Sequence, residues 1–137
     1  MDTQQTIKNT IVFVKKTLQG AEGGHDWFHI ERVYKNALLI AEDENVDNFI
    51  VSLGALLHDI ADAKFYDGDE TIGPKLARKF LEKQEVDEES IVHIENIIQY
   101  ISFKTSLSDG VKFSSPELAV IQDADRLDAI GAIGIAR

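Results

Sequence analysis

The sequence has no cysteine, two prolines, one methionine and one tryptophan. Without cysteine, disulfides and thiolate-held zinc or iron–sulfur groups are excluded, and a reducing compartment such as the cytoplasm is the expected setting. Two prolines leave long stretches free of helix breaks. No apolar run approaches the roughly 18 to 20 residues that a membrane span needs. The start, Met1-Asp2-Thr3-Gln4-Gln5-Thr6, has neither the basic segment nor the apolar core of a secretory signal. Basic residues are also scarce: 14 against 24 acids, a net charge of −10. Adjacent basic residues occur only as the pairs Lys15-Lys16 and Arg78-Lys79, so no basic face is visible for a long nucleic acid. A small phosphorylated ligand stays open, because a cation and a few local bases can reverse the local field.

What is present is helix. The chain of 137 residues is long enough for one domain with a real core. Apolar residues recur at spacings of three and four, which predicts an all-α fold. A first helix is expected over about 3 to 19, with Ile7, Ile11, Val14 and Leu18 on one stripe, ended by Gly20-Ala21-Glu22-Gly23-Gly24. A second spans about Asp26 to Glu42, with His29, Val33, Asn36, Ala37 and Ile40 on one face. A third spans about Asp47 to Ile60, with Ile50, Leu53 and Leu57 inward and Gly54 open to close approach by another helix.

After a loop over Ala61 to Thr71, a fourth helix starts near Gly73-Pro74 and carries Leu76, Phe80 and Leu81. A fifth is expected over about Asp87 to Ser102, striped by Ile91, Ile94, Ile98 and Ile101. Beyond a polar loop, Ser114-Ser115-Pro116-Glu117 is a capping signal. The helix it opens puts Leu118, Ile121, Gln122 and Asp125 on one face. Glu22, Asp43 and Glu85 read as solvated charges at helix ends.

Four residues stand out against this pattern: His29, the adjacent His58-Asp59, and Asp125. His58-Asp59 closes the apolar run Ile50-Val51-Ser52-Leu53-Gly54-Ala55-Leu56-Leu57, where a charge is costly unless paired or bound to a metal. His29 and Asp125 fall on inward stripes. Neighbours on a helix diverge by about 100°, so His58 and Asp59 can share an ion only if it sits beside the helix, with further ligands from other helices. Imidazole nitrogens with carboxylates suit Mn, Fe, Co, Ni or Zn better than Ca or Mg. Each residue has a plainer reading: His29 as a core histidine, Asp59 as a cap or a partner of Lys64, Asp125 as a partner of Arg126 or Arg32. Four together on inward faces favour one metal between the helices.

The order His29, Leu57-His58-Asp59-Ile60, Asp123-Ala124-Asp125-Arg126-Leu127-Asp128 resembles the H…HD…D signature of the HD-domain metal-dependent phosphohydrolases. The stretches Gly24-His25-Asp26-Trp27-Phe28-His29-Ile30-Glu31-Arg32-Val33 and Asp125-Arg126-Leu127-Asp128-Ala129-Ile130-Gly131-Ala132 resemble a small bacterial subgroup, some of whose members are nucleotide pyrophosphohydrolases. The resemblance covers the whole chain. It implies a helical bundle with one divalent metal, manganese favoured, held by His29, His58, Asp59 and Asp125.

The resemblance also singles out Asp62, three positions after Asp59, where related proteins place an acidic catalytic residue, often glutamate. A carboxylate there can position or deprotonate water at the metal; a solvated loop acid is the plainer reading. Lys64, Lys104 and Arg32 are the candidate phosphate contacts, and His25 a substrate contact rather than a ligand. Dinuclear members need two more histidines between the HD pair and the last Asp, and only His93 is available, so one metal is expected. Trp27 and Phe28 can stack a base, although packing is the commoner outcome for such residues.

The resemblance implies hydrolysis of a nucleotide, a (d)NTP to monophosphate and pyrophosphate first, by metal-activated water. The alternatives are an alarmone or other phosphodiester hydrolase, or a non-catalytic metal-binding helical module. A small phosphorylated substrate is the expected partner, and a homodimer is compatible with the sequence. Members of the subgroup are usually longer at the C-terminus. With the apolar ending Ile133-Gly134-Ile135-Ala136-Arg137, this leads us to expect a single HD domain lacking the family's C-terminal helices.

Overall fold

A computed structural model describes residues 2–18, 27–60, 71–101 and 113–135, with side chains in the last stretch to Asp128. The six helices among them are α1 (Thr3–Leu18), α2 (Trp27–Ala41), α3 (Asn48–Leu57), α4 (Ile72–Lys83), α5 (Glu88–Tyr100) and α6 (Pro116–Ile135). No strand occurs among the described residues. The all-α expectation holds, with helix ends within about three residues of those read from the pattern.

Helix α3 is the axis of the bundle. Every residue from Ile50 to Leu57 is buried, so the helix is apolar all round rather than on one stripe. It packs against α1, α2, α5 and α6. Its start is capped by Asp47, whose carboxylate accepts from the backbone N–H of Phe49 and Ile50 at 2.9 and 3.3 Å. It stops at Leu57, three residues earlier than the pattern suggests, and His58 and Asp59 form the turn that follows.

The other helices are amphipathic, with stripes shifted slightly from expectation. On α1 the fully covered positions are Thr6, Thr10, Val14 and Leu18, while Ile7 and Ile11 pack at the edge. The two threonines tolerate burial because their hydroxyls donate back to the carbonyls of Asp2 and Thr6 at 3.1 and 2.7 Å. On α2 the buried stripe is Ile30, Val33, Ala37 and Ala41, which leaves His29 on its flank. On α5 it is Ile91, Ile94 and Ile97. Phe13 and Phe80 stack with ring centroids 4.2 Å apart and tie α1 to α4.

Two local devices set α6 against α3. Ser115 Oγ accepts from the backbone N–H of Leu118 at 3.1 Å, with Pro116 at the first helical position, so the helix starts where the capping signal places it. Glu117, buried at 9% exposure, accepts from the backbone N–H of Asp47 at 2.8 Å. The start of α6 is thereby fixed beside the start of α3. Further along the same pair of helices, Gly54 lets them close together: a Cβ added there would lie 2.6 Å from Ile121 Cδ1 and 3.4 Å from Ile97 Cδ1.

Candidate metal centre

One turn beyond the Gly54–Ile121 contact, His58 caps the end of α3 and α6 presents Asp125. Helix α2 brings His29 from its first turn. Three helices thus deliver one side chain each to a common point. Ligand atoms of His29, His58 and Asp125 all lie within 4.8 Å of one another. Asp125 Oδ1 is 3.5 Å from His29 Nε2 and 3.7 Å from His58 Nε2. The two imidazole rings meet edge to face, with centroids 6.0 Å apart.

Hydrogen bonds decide which nitrogen each ring offers. His58 Nδ1 donates to the carbonyl of Ala55 at 2.7 Å, and His29 Nδ1 donates to Asp128 Oδ2 at 2.6 Å. A carbonyl and a carboxylate only accept, so the proton of each neutral ring sits on Nδ1. Both Nε2 lone pairs then face Asp125. Two groups bound to one ion at about 2.1 Å cannot stand much more than about 4.2 Å apart. The separations from Asp125 Oδ1, 3.5 and 3.7 Å, satisfy that limit. Two imidazole nitrogens and a carboxylate oxygen also match the donor set of a divalent transition metal. The residues present therefore fit the ion that the sequence calls for.

The electrostatics match. Burial opposes protonation of His58. The adjacent Asp125 carboxylate, the charge of Asp59 and the Ala55 carbonyl outweigh it and raise its pKa above the ordinary 6.5. The His58 contact, against the opposing effect of burial, holds the Asp125 carboxyl below the usual range, helped by the charge of His29. Among the described residues a negative oxygen and two basic nitrogens converge, which is a site poised for a cation.

Asp59 stands in the turn directly after α3, half-buried, outside the tight group of three. Its charge acts on His58. The salt-bridge readings for Asp125 have other outcomes. Arg126 pairs with Asp123 at 3.3 Å, and Arg32 Nε lies 2.5 Å from Asp128 Oδ1. Arg32, expected at a phosphate, is thus engaged with Asp128. His93 belongs to a different cluster, bonded to Ser115 Oγ at 2.9 Å and edge-on to Phe113. Among the described residues it joins no group of candidate metal ligands. Trp27 is half-buried with Lys15 Nζ 5.1 Å over its ring, whereas Phe28 is 65% exposed. Asp62, Lys64, Lys104 and His25 lie outside the described residues.

Asp128 is the residue that pattern reading passed over. It is 9% exposed and contacts both His29 and Arg32. The Arg32 contact, against the cost of burial and with help from His29, holds its carboxyl below the usual range. Its signal was available: Asp128 follows Asp125 by one turn, as Arg32 follows His29.

Comparison with known proteins agrees with this geometry. A sequence model of the HD domain family matches residues 27–130. YpgQ of Bacillus subtilis, a protein described as uncharacterized, is 39% identical over 127 residues, covering 91% of this chain and 60% of its own length. The mimivirus protein L803 is 32% identical over 129 residues, covering 83% and 51%. Among solved structures, an HD-superfamily hydrolase from Bacillus thuringiensis superposes with a TM-score of 0.78 at 42% identity, covering 99% of this chain and 64% of that one. Crystalline Bacillus subtilis YpgQ in complex with ADP gives 0.78 at 37% identity, covering 100% and 65%. The chain spans less than two thirds of the length of each of these relatives.

Proposed function

The chain belongs to the HD domain family, and from that membership we propose that it is a cytoplasmic, metal-dependent phosphohydrolase acting on a nucleotide. The observation that carries the proposal is the convergence of two Nε2 atoms on Asp125 Oδ1, at 3.5 and 3.7 Å, from three separate helices. His29, His58 and Asp125 would hold the ion, with Asp59 completing the set from the turn after α3. A divalent cation, manganese first among the candidates, supplies Lewis acidity, drawing charge from a phosphoryl oxygen and making water a stronger acid.

This chain's own residues do the rest. The Nδ1 bonds of His29 and His58 keep their Nε2 atoms aimed inward. Asp62, three residues beyond Asp59, accepts the proton of the attacking water. Lys64 and Lys104 bind phosphate oxygens and His25 helps seat the substrate. Arg32 adds positive charge beside His29, with Nε already committed to Asp128.

The nucleotide assignment draws on the family resemblance and on the solved complex of YpgQ with ADP. Cleavage of a (d)NTP to monophosphate and pyrophosphate is the leading reaction. Hydrolysis of an alarmone or other phosphodiester uses the same site. A screen of nucleotides with Mn, Co, Ni and Mg, detecting phosphate and pyrophosphate separately, separates these reactions. Asp62→Asn should keep metal bound while turnover falls by about 10²- to 10⁴-fold. Undiminished turnover in that variant would remove Asp62 from its role. Metal binding without turnover of any nucleotide or phosphodiester would leave the non-catalytic reading.

A further inference from the structure

We propose that Asp128 is the positioning residue for His29, presenting its Nε2 to the metal centre, and that Arg32 is the clamp that holds Asp128 in place.

The two imidazoles of the centre meet different local problems. His58 sits at the C-terminal end of α3, where the last carbonyls of a helix have no intrahelical partner. Its Nδ1 takes one of them, the carbonyl of Ala55, at 2.7 Å. A carbonyl of its own helix therefore holds Nδ1 of that ring. His29 sits in the first turn of α2, where it is N–H groups that lack partners and carbonyls are engaged along the helix. An acceptor for its Nδ1 has to come from another element. Helix α6 supplies it: Asp128 Oδ2 lies 2.6 Å from His29 Nδ1.

Helical spacing makes this a two-point fit. Asp125 and Asp128 are one turn apart on α6, and His29 and Arg32 are one turn apart on α2. The paired turns place Asp125 Oδ1 3.5 Å from His29 Nε2, while Asp128 takes Nδ1 of the same ring. One helix thus holds the ring at Nδ1 through Asp128 and sets Asp125 opposite its Nε2. Asp128 is in turn gripped by Arg32, with Nε 2.5 Å from Oδ1 and Nη2 3.4 Å from Oδ2. Arg32 is 55% exposed and Asp128 9%, so the clamp closes from the solvent side over a covered carboxylate. Such an outer carboxylate fixes the tautomer and raises the basicity of the ligating nitrogen.

The inference rests on His29 being a metal ligand, and metal binding tests it without requiring turnover. Metal-stripped wild type, Asp128→Ala, Asp128→Asn and Arg32→Gln are titrated with Mn²⁺ by calorimetry. Imidazole nitrogen shifts are read from long-range ¹H–¹⁵N spectra. We expect wild-type His29 to be locked with its proton on Nδ1. In Asp128→Ala that lock should be lost, with Mn²⁺ binding weakened by about 10- to 100-fold. Arg32→Gln should show a smaller loss in the same direction. Unchanged affinity and tautomer in Asp128→Ala overturn the proposal. If that variant does not fold, Asp128→Asn and Arg32→Gln decide it by the same two readings. Wild type that binds no Mn²⁺ overturns the metal centre and this inference together. Wild type that binds Mn²⁺ but hydrolyses no nucleotide leaves this inference standing and removes only the substrate assignment.

Discussion

Gly54 and Ile121 are in such close contact that a Cβ on Gly54 would stand 2.6 Å from Ile121 Cδ1. That contact fixes how near α3 and α6 run, and one turn further along the same two helices carry His58 and Asp125. A missing methyl group is thus part of what puts a nitrogen and an oxygen 3.7 Å apart.

Gly54→Ala should therefore destabilise the protein. Crowding in a packed core costs about 1 to 3 kcal/mol, and the helix preference of alanine returns at most about 1 kcal/mol. A net loss of about 1 kcal/mol in urea unfolding is expected. Ile121→Val removes the crowding atom, so the double variant should be more stable than the sum of the two single losses predicts. Strictly additive losses would show that the two residues do not constrain each other.

Protonation of His58 gives a pH signature. Its folded pKa is raised above the ordinary 6.5, so in metal-free protein its contribution is complete below 6.5 and fades as pH rises through the folded value. The Asp125 and Asp128 carboxyls, held below the ordinary 3.8, stay ionised across this range and add no slope. Metal binding needs the neutral ring and expels the proton, so its contribution grows with pH. Between about pH 6 and 8 the His58 contribution should lower the melting temperature of metal-free protein as pH rises, while saturating Mn²⁺ adds a growing increment. A Mn²⁺ increment that does not change with pH would exclude proton–metal competition at His58.

Helix α4 ends on a residue with the wrong shape for its place. Glu85 has φ 60°, the left-handed conformation, between Glu82 and Val86. The N–H of Val86 bonds the carbonyl of Leu81 at 3.1 Å and the N–H of Glu85 that of Glu82 at 3.0 Å, the Schellman pattern. Glycine is the natural occupant. Glu85→Gly should raise unfolding free energy by about 0.5 to 1 kcal/mol, the conformational relief outweighing the extra freedom of the unfolded chain. A lower melting temperature would show instead that the carboxylate is needed there.

Arg78 joins α4 to α5 by reaching Glu82, Glu88 and Glu95, with contacts of 3.1, 2.8 and 2.8 Å. These carboxylates, Glu88 first, keep its guanidinium charged well above the usual range. Arg78→Met removes the cation and leaves three acids facing one another. The variant should melt at a lower temperature, and added salt should narrow the gap by screening their repulsion. A gap that salt leaves unchanged would assign the loss to packing of the arginine stem.

Much of this protein follows from local rules that sequence carries directly. Spacings of three and four set the helices, Asp47 and Asp87 cap α3 and α5, and Ser115-Pro116 starts α6. His29, His58 and Asp125 were legible as a group because each interrupts an apolar pattern with a group that is costly to bury alone. Glu85 is the exposed charge at a helix end that its place in the sequence suggests, but its left-handed backbone leaves no mark in residue type.

Tertiary structure decided what local rules cannot reach. The full burial of α3 arises because four helices surround it, not from any stripe of its own. Arg32 and Asp128 are 96 positions apart, and only the docking of α2 on α6 shows that each occupies the other. The same docking chooses which nitrogen His29 presents. Periodicity fixes the direction of a side chain around its own helix. The distance between two helices, and hence which donor meets which acceptor, is set by the volumes packed between them, down to the hydrogen where Gly54 has no side chain.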